Sequence, residues 1–189
     1  MGTKLSKSIS VKSHGFTLVE TLIAISILSL SIAATFTAVQ NGIKSSTVAK
    51  DQVTAFYLAQ EGMEFIKNIR DENALHTLNG TATNWLTSLA INSDGSSGPC
   101  DFGKTCTIDS PLKQIASCSG GFDTCPYINQ DPNTGLYGYT AIWPATSFKR
   151  EIQFRQIAPN EISVVISVSW TNHGIDQSFQ ATETLLNRQ

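Results

Sequence analysis

The sequence predicts an α+β fold: one long N-terminal helix laid across a small antiparallel sheet. Three observations carry this. Thr21 to Ile43 is a run of 23 uncharged residues rich in Leu, Ile and Ala. No proline occurs between Thr17 and Asp71, so the helix can continue past that run. From Phe148 onward, apolar and polar residues alternate in three stretches separated by short polar turns, the pattern of an antiparallel meander with one buried face.

Residues 1–15 read as a leader. They hold Lys4, Lys7 and Lys12 and no acid, and they are set aside from fold reasoning. The uncharged run, as a helix rising ~1.5 Å per residue, spans about 35 Å, against about 30 Å for a bilayer core. It is long enough to cross a membrane. Basic residues before it place the N-terminus in the cytoplasm and everything after it outside. Glu20 stands at the head of this run, where a carboxylate is costly, so something must compensate it. A cut between Gly15 and Phe16 would supply an amino group four residues before Glu20, one helical turn away or available to a neighbouring chain. An ordinary signal peptide or anchor needs no Glu there, and no small-x-small cleavage site follows the apolar run.

Gly15-Phe16-Thr17-Leu18-Val19-Glu20, followed by the long apolar segment, resembles the N-terminal processing site of type IV prepilins and type II secretion pseudopilins. The resemblance implies the pilin fold, cleavage after Gly15 by a membrane prepilin peptidase, and methylation of the new Phe16 amine. It implies that the apolar helix packs with other pilin subunits into a filament core, by way of an inner-membrane assembly platform. Glu20 would recruit the next subunit through that subunit's amine. Before assembly the chain would sit in the lipid of the inner membrane as a single-pass protein; afterwards it would lie in a pilus or a periplasmic or cell-surface filament.

After the leader the division runs 16–43 for the membrane or filament-core helix, 44–72 for its outer half, 73–147 for a variable loop region, and 148–189 for the meander. Gly42 falls where charges begin and is a bend or unwinding point. Beyond it Ala49, Val53, Phe56, Met63, Ile66 and Ile69 recur at near-helical spacing and form the face expected to pack on the sheet. Tyr57 to Glu64 resembles the corresponding helix of PilV-like minor pilins and GspI-like pseudopilins, which favours a minor pilin subunit; the alternatives are a pseudopilin of a type II secretion system and a membrane-tethered extracytoplasmic binding or adhesion protein.

A second helix is expected around Ala82 to Ile91, followed by a loop from Ser93 to Pro99. From Cys100 to Gly135 the turn residues crowd together, which reads as a surface excursion with too little periodicity for a core. Short strands are expected at Thr105 to Asp109 and Leu136 to Trp143. Cys100, Cys106, Cys118 and Cys125 all lie on the outward side, where disulfides persist. Short loops cost least to close, favouring Cys100 with Cys106 and Cys118 with Cys125; the nested and crossed pairings stay open.

In the meander, Phe148, Ile152 and Phe154 share one face of a strand whose other face carries Lys149, Glu151, Gln153 and Arg155. Ile162, Val164, Ile166, Val168 and Trp170 alternate with Ser163, Ser167 and Ser169, and the turn 171–174 leads into Gln177 to Leu186.

Past the leader, 10 basic side chains face 15 acidic ones, a balance that argues against a nucleic-acid or anionic-membrane surface. No catalytic constellation is visible, and the chain reads as a non-enzyme. His173 sits in a turn, His76 follows Asp71 and Glu72 at a helix end, and there is no phosphate loop, nucleophile elbow or zinc-protease motif. Asp131-Pro132-Asn133-Thr134-Gly135 resembles the opening of a calcium loop, with Asp131 and Asn133 as ligands. The twelfth position is Ile142, however, where such a loop needs a bidentate Glu. No other cofactor is indicated. Tyr127, Tyr137, Tyr139 and Trp143 read first as cover for the core edge, with an adhesive patch as the alternative.

Overall fold

A computed structural model describes residues 15–119, 124–172 and 174–187. The leader lysines, Gly120, Gly121, the expected turn histidine His173 and Arg188 lie outside the described residues. The chain divides into two units, one ending at Thr47 and one beginning at Val48.

One helix, α1, runs Leu18–Leu78, and helical conformation persists through Gly42, so that glycine does not unwind it. Every described residue up to Ser46 is exposed. In the second unit α1 buries Ala55, Leu58, Ala59, Gly62, Met63 and Ile66, spaced three and four apart as one helical stripe demands. Met63 and Ile66 lie on the expected face. Ala49, Val53 and Phe56 do not: Val53 is 55% exposed and Phe56 48%. The expected stripe passed over Ala55, Ala59 and Gly62, small residues that let the helix backbone approach the sheet between Leu58, Met63 and Ile66. Phe56 is left at the rim, edge-on to Phe179 with ring centres 5.7 Å apart.

The seven described strands are β1 (Thr105–Asp109), β2 (Gln114–Ser117), β3 (Tyr127–Gln130), β4 (Tyr137–Gly138), β5 (Ala145–Ala158), β6 (Glu161–Asn172) and β7 (Ile175–Leu186). They form one curled antiparallel sheet. β5, β6 and β7 are the meander, with Ile152 opposite Ile166 and Ile166 opposite Ala181. The other edge of β5 is shared: β3 pairs with its first half and β1 with its second. β2 extends β1, and β4 extends β3.

The region between helix and meander departs most from expectation. Ala82 to Ile91 is a set of turns, not a helix. Asn84 accepts a bond from the Leu86 N–H through its side chain, a local alternative to helical bonding. Asn73 of α1 donates to the carbonyls of Trp85 (3.2 Å) and Thr87 (2.9 Å) and ties the segment down. The turns then bury Trp85, Leu86, Leu89 and Ala90 in the main core.

Nor is the stretch from Cys100 only a surface excursion. All five residues of β1 are buried, because the strand lies between β2 and β5, and Cys106 and Ile108 join the core. Its period-2 signal is weak because polar residues there are satisfied internally: Thr107 bonds Tyr139 Oη, and Asp109 accepts from the Tyr139 N–H at 2.9 Å. The expected strand from Leu136 shrinks to Tyr137–Gly138, since the chain turns at Thr140 to Trp143. Cys100 is bonded to Cys106 and Cys118 to Cys125, with Cα atoms 5.1 and 4.9 Å apart.

Candidate assembly site at the helix head

Gly15, Phe16 and Thr17 precede the first turn of α1. Thr17 is its N-cap: its carbonyl accepts the Thr21 N–H at 3.2 Å, and its Oγ1 accepts the Glu20 N–H at 3.3 Å. Glu20 therefore occupies the third helical position, where the partial positive charge of the helix N-terminus favours a carboxylate. The sequence reading missed Thr17; the signal was the Thr-x-x-Glu spacing of a capping box, overlapping the motif itself.

Two features of this head are not explained by folding. Nothing lies within 4 Å of where a Gly15 Cβ would sit, and the residue is not in a left-handed conformation. The fold therefore places no demand for glycine there. Phe16 is 80% exposed and Leu30, further along, 71%; none of the most apolar 18-residue stretch is buried. A contiguous apolar surface of this size requires lipid or another protein to cover it.

The polar side chains inside the run are adapted to such surroundings. The hydroxyls of Thr21, Ser26, Ser31, Thr35 and Thr37 donate back to carbonyls one turn earlier, at 2.8 to 2.9 Å to Leu18, Leu22, Ile27, Ile32 and Ala33. Satisfied internally, they cost little out of water. Among the described residues no cation pairs with Glu20 at the head of this run.

The remaining candidate residues lie apart from this head. Among the described residues no three His, Cys, Asp or Glu side chains gather to hold a metal. Asp131 uses both carboxylate oxygens in its own turn, accepting from the Asn133 N–H (2.9 Å) and Thr134 Oγ1 (2.6 Å). The Thr134 hydroxyl above all, with the Asn133 N–H, holds the Asp131 carboxyl below its ordinary value. Asn133 contributes its backbone N–H to this turn. His76 is exposed, with Glu72 at 4.0 Å as an ordinary helix-surface pair.

A second feature escaped the sequence reading: Arg150 is 1% exposed. It shares the apolar face of β5 with Phe148, Ile152 and Phe154, and its guanidinium donates to Leu58 O (2.9 Å), Glu61 Oε2 (2.9 Å) and Ile108 O (2.5 Å). It thereby joins α1, β5 and β1. Gly62 makes room for it; a Cβ there would lie 3.4 Å from Arg150 Cδ. The signal was parity, since residue 150 falls on the same side of the strand as its apolar neighbours.

Residues 11–36 match the prokaryotic N-terminal methylation motif. No curated protein and no solved structure matches the chain. The match covers the head of the chain and indicates a type IV prepilin-like pilin; the exposed apolar helix behind it and the curled antiparallel sheet form a pilin-like α+β architecture.

Proposed function

We propose that the chain is a structural subunit, a minor pilin, of a type IV pilus or related filament. The observation that carries this reading is Gly15, a glycine the fold does not require, set with Glu20 at the head of an apolar helical stretch that is exposed up to Ser46. A prepilin peptidase cuts after Gly15, where the absence of a side chain leaves room for the enzyme, and the new Phe16 amine is methylated. The N-terminus lies in the cytoplasm and the unit from Val48 onward outside. An inner-membrane platform then moves the helix from lipid into a core of like helices, where close packing holds it and the Phe16 amine of one subunit meets Glu20 of another. Lipid tails are as apolar as the helix, so packing sets affinity while the charge pair sets register. A plain membrane tether needs neither Gly15 nor Glu20.

The test is N-terminal mass spectrometry of the protein extracted from membranes, paired with filament purification. The wild-type chain is expected to begin at N-methylated Phe16, Gly15→Ala to retain its leader, and Glu20→Ala to be processed yet depleted from filaments. A wild-type chain that still begins at Met1, or a Glu20→Ala chain present in filaments at wild-type level, refutes the proposal.

A further inference from the structure

The sheet face opposite α1's packed stripe carries a trough whose origin is the strand register. On β6, Val164, Ile166, Val168 and Trp170 face the core, so Ser167 and Ser169 face outward. Ser167 lies between Glu151 of β5 and Gln180 of β7, and Ser169 between Lys149 and Ser178. Short side chains on the middle strand, flanked by longer ones, leave a channel of about 460 Å³ that also touches Tyr127, Trp170 and Asp176. That volume lies in the range of small-ligand sites, about 300 to 1,000 Å³.

The lining has a definite chemistry. Ser147, Ser167, Ser169 and Ser178 offer hydroxyls that both donate and accept, and Gln180 offers an amide that does the same. Gln180 Nε2 donates to Ser167 Oγ at 3.4 Å, which orients the amide and leaves its carbonyl to face a ligand. Thr171 Oγ1 donates to Asp176 Oδ1 at 2.7 Å, and the second carboxylate oxygen is outside that bond. Lys149 is set against Glu151 and Asp176, so the channel has no positive field for a polyanion. Its aromatic component is Tyr127, a 49% exposed ring with Lys149 Nζ 4.8 Å from its centre. An apolar peptide would leave the hydroxyls and amides unpaired. A ligand dense in neutral hydroxyls, with C–H faces for the ring, matches both parts of the lining.

We propose that this trough binds a neutral oligosaccharide, with Gln180, Asp176 and the β6 serines bonding sugar hydroxyls and Tyr127 meeting a sugar face. The site belongs to the unit from Val48 onward, so its test is independent of whether the chain polymerises. The full-length protein, held in a detergent without a sugar headgroup, is titrated with cellotetraose, chitotetraose and maltotetraose by calorimetry and tryptophan fluorescence. A heparin tetrasaccharide serves as the anionic comparator. Saturable binding of at least one neutral tetrasaccharide is expected, weakened about tenfold by Tyr127→Ala and by Gln180→Ala and abolished by Ser167→Leu, which fills the channel. Thermal unfolding of each variant, run alongside, shows that the fold is kept. The proposal is overturned if none of the three sugars saturates below about 10 mM, if the heparin fragment binds more tightly, or if a folded Ser167→Leu protein binds as well as wild type. It is equally overturned if Tyr127→Ala and Gln180→Ala alter self-association and leave sugar binding unchanged, since a second copy of the chain would then be the occupant.

Discussion

Replacing Arg150 by Ala tests the largest single tie between helix and sheet. The substitution removes three hydrogen bonds from a side chain that is 1% exposed, two of them to the carbonyls of Leu58 and Ile108. Bonds from a charged donor are each worth about 1.5 to 3 kcal/mol, and taking one partner from a buried pair costs about 3 to 5 kcal/mol. The Glu61 share must be discounted, because that side chain is 37% exposed and partly solvated pairs contribute about 1 kcal/mol or less. A total loss of about 3 to 5 kcal/mol follows, or about 10 to 20 °C in Tm for a unit of this size. The assay is thermal unfolding in detergent micelles followed by tryptophan fluorescence, since Trp85, Trp143 and Trp170 all lie beyond Val48. Glu61→Gln should lower Tm by only a few degrees. Arg150→Met, which keeps the volume and removes the desolvated charge, should recover more than half of the alanine loss. An Arg150→Ala protein melting within about 2 °C of wild type would refute the claim that this guanidinium holds the helix to the sheet.

Gly98→Ala should cost about 2 kcal/mol or more in the same melt, because a Cβ there would stand 2.5 Å from Leu89 O and 2.7 Å from Ile91 N, backbone atoms that cannot swing aside; an unchanged Tm contradicts the close approach. Burial, against the opposing influence of Arg150 and the Thr107 bond, holds the Tyr139 phenol above its ordinary value. The folded state therefore keeps this proton more tightly than the unfolded chain. The stability it contributes is complete below about pH 10 and is lost as pH rises through the folded value; Tyr139→Phe should flatten this alkaline slope, and an equal slope in the variant would show that another group is responsible. Because both Asp131 oxygens are committed to the turn, millimolar calcium should move Tm by less than about 1 °C, and a rise of several degrees would show that the turn opens to bind the ion.

What could be read from the residues alone depended on how local the governing physics is. The alternation in β5 and β6 exposed the meander because side-chain direction in a strand reverses at every residue, whatever lies around it. The same parity contained Arg150, but a charge among apolar residues is assigned to the surface unless its partners are known. Those partners, Leu58, Glu61 and Ile108, are dispersed along the chain. β1 escaped as a core strand for a similar reason: Thr105, Thr107 and Asp109 are polar, and their bonds to Gln153, Tyr139 and the Leu112 N–H make their burial tolerable. Around Ala82 to Ile91, apolar residues at irregular spacing suggested a helix, whereas the long-range anchor from Asn73 decided for turns.

By itself the sequence determined the head of the molecule and its class: the motif Gly15 to Glu20, the apolar run that lipid or another protein must cover, and the three-strand meander. These follow from charge, length and period, which are properties of neighbouring residues in the chain. Only the tertiary structure decided which stripe of α1 meets the sheet, that Arg150 is buried between helix and strands, and that the β6 serines floor a trough between longer side chains. Each of these depends on the register between segments far apart in sequence, and register is set by packing the whole domain at once.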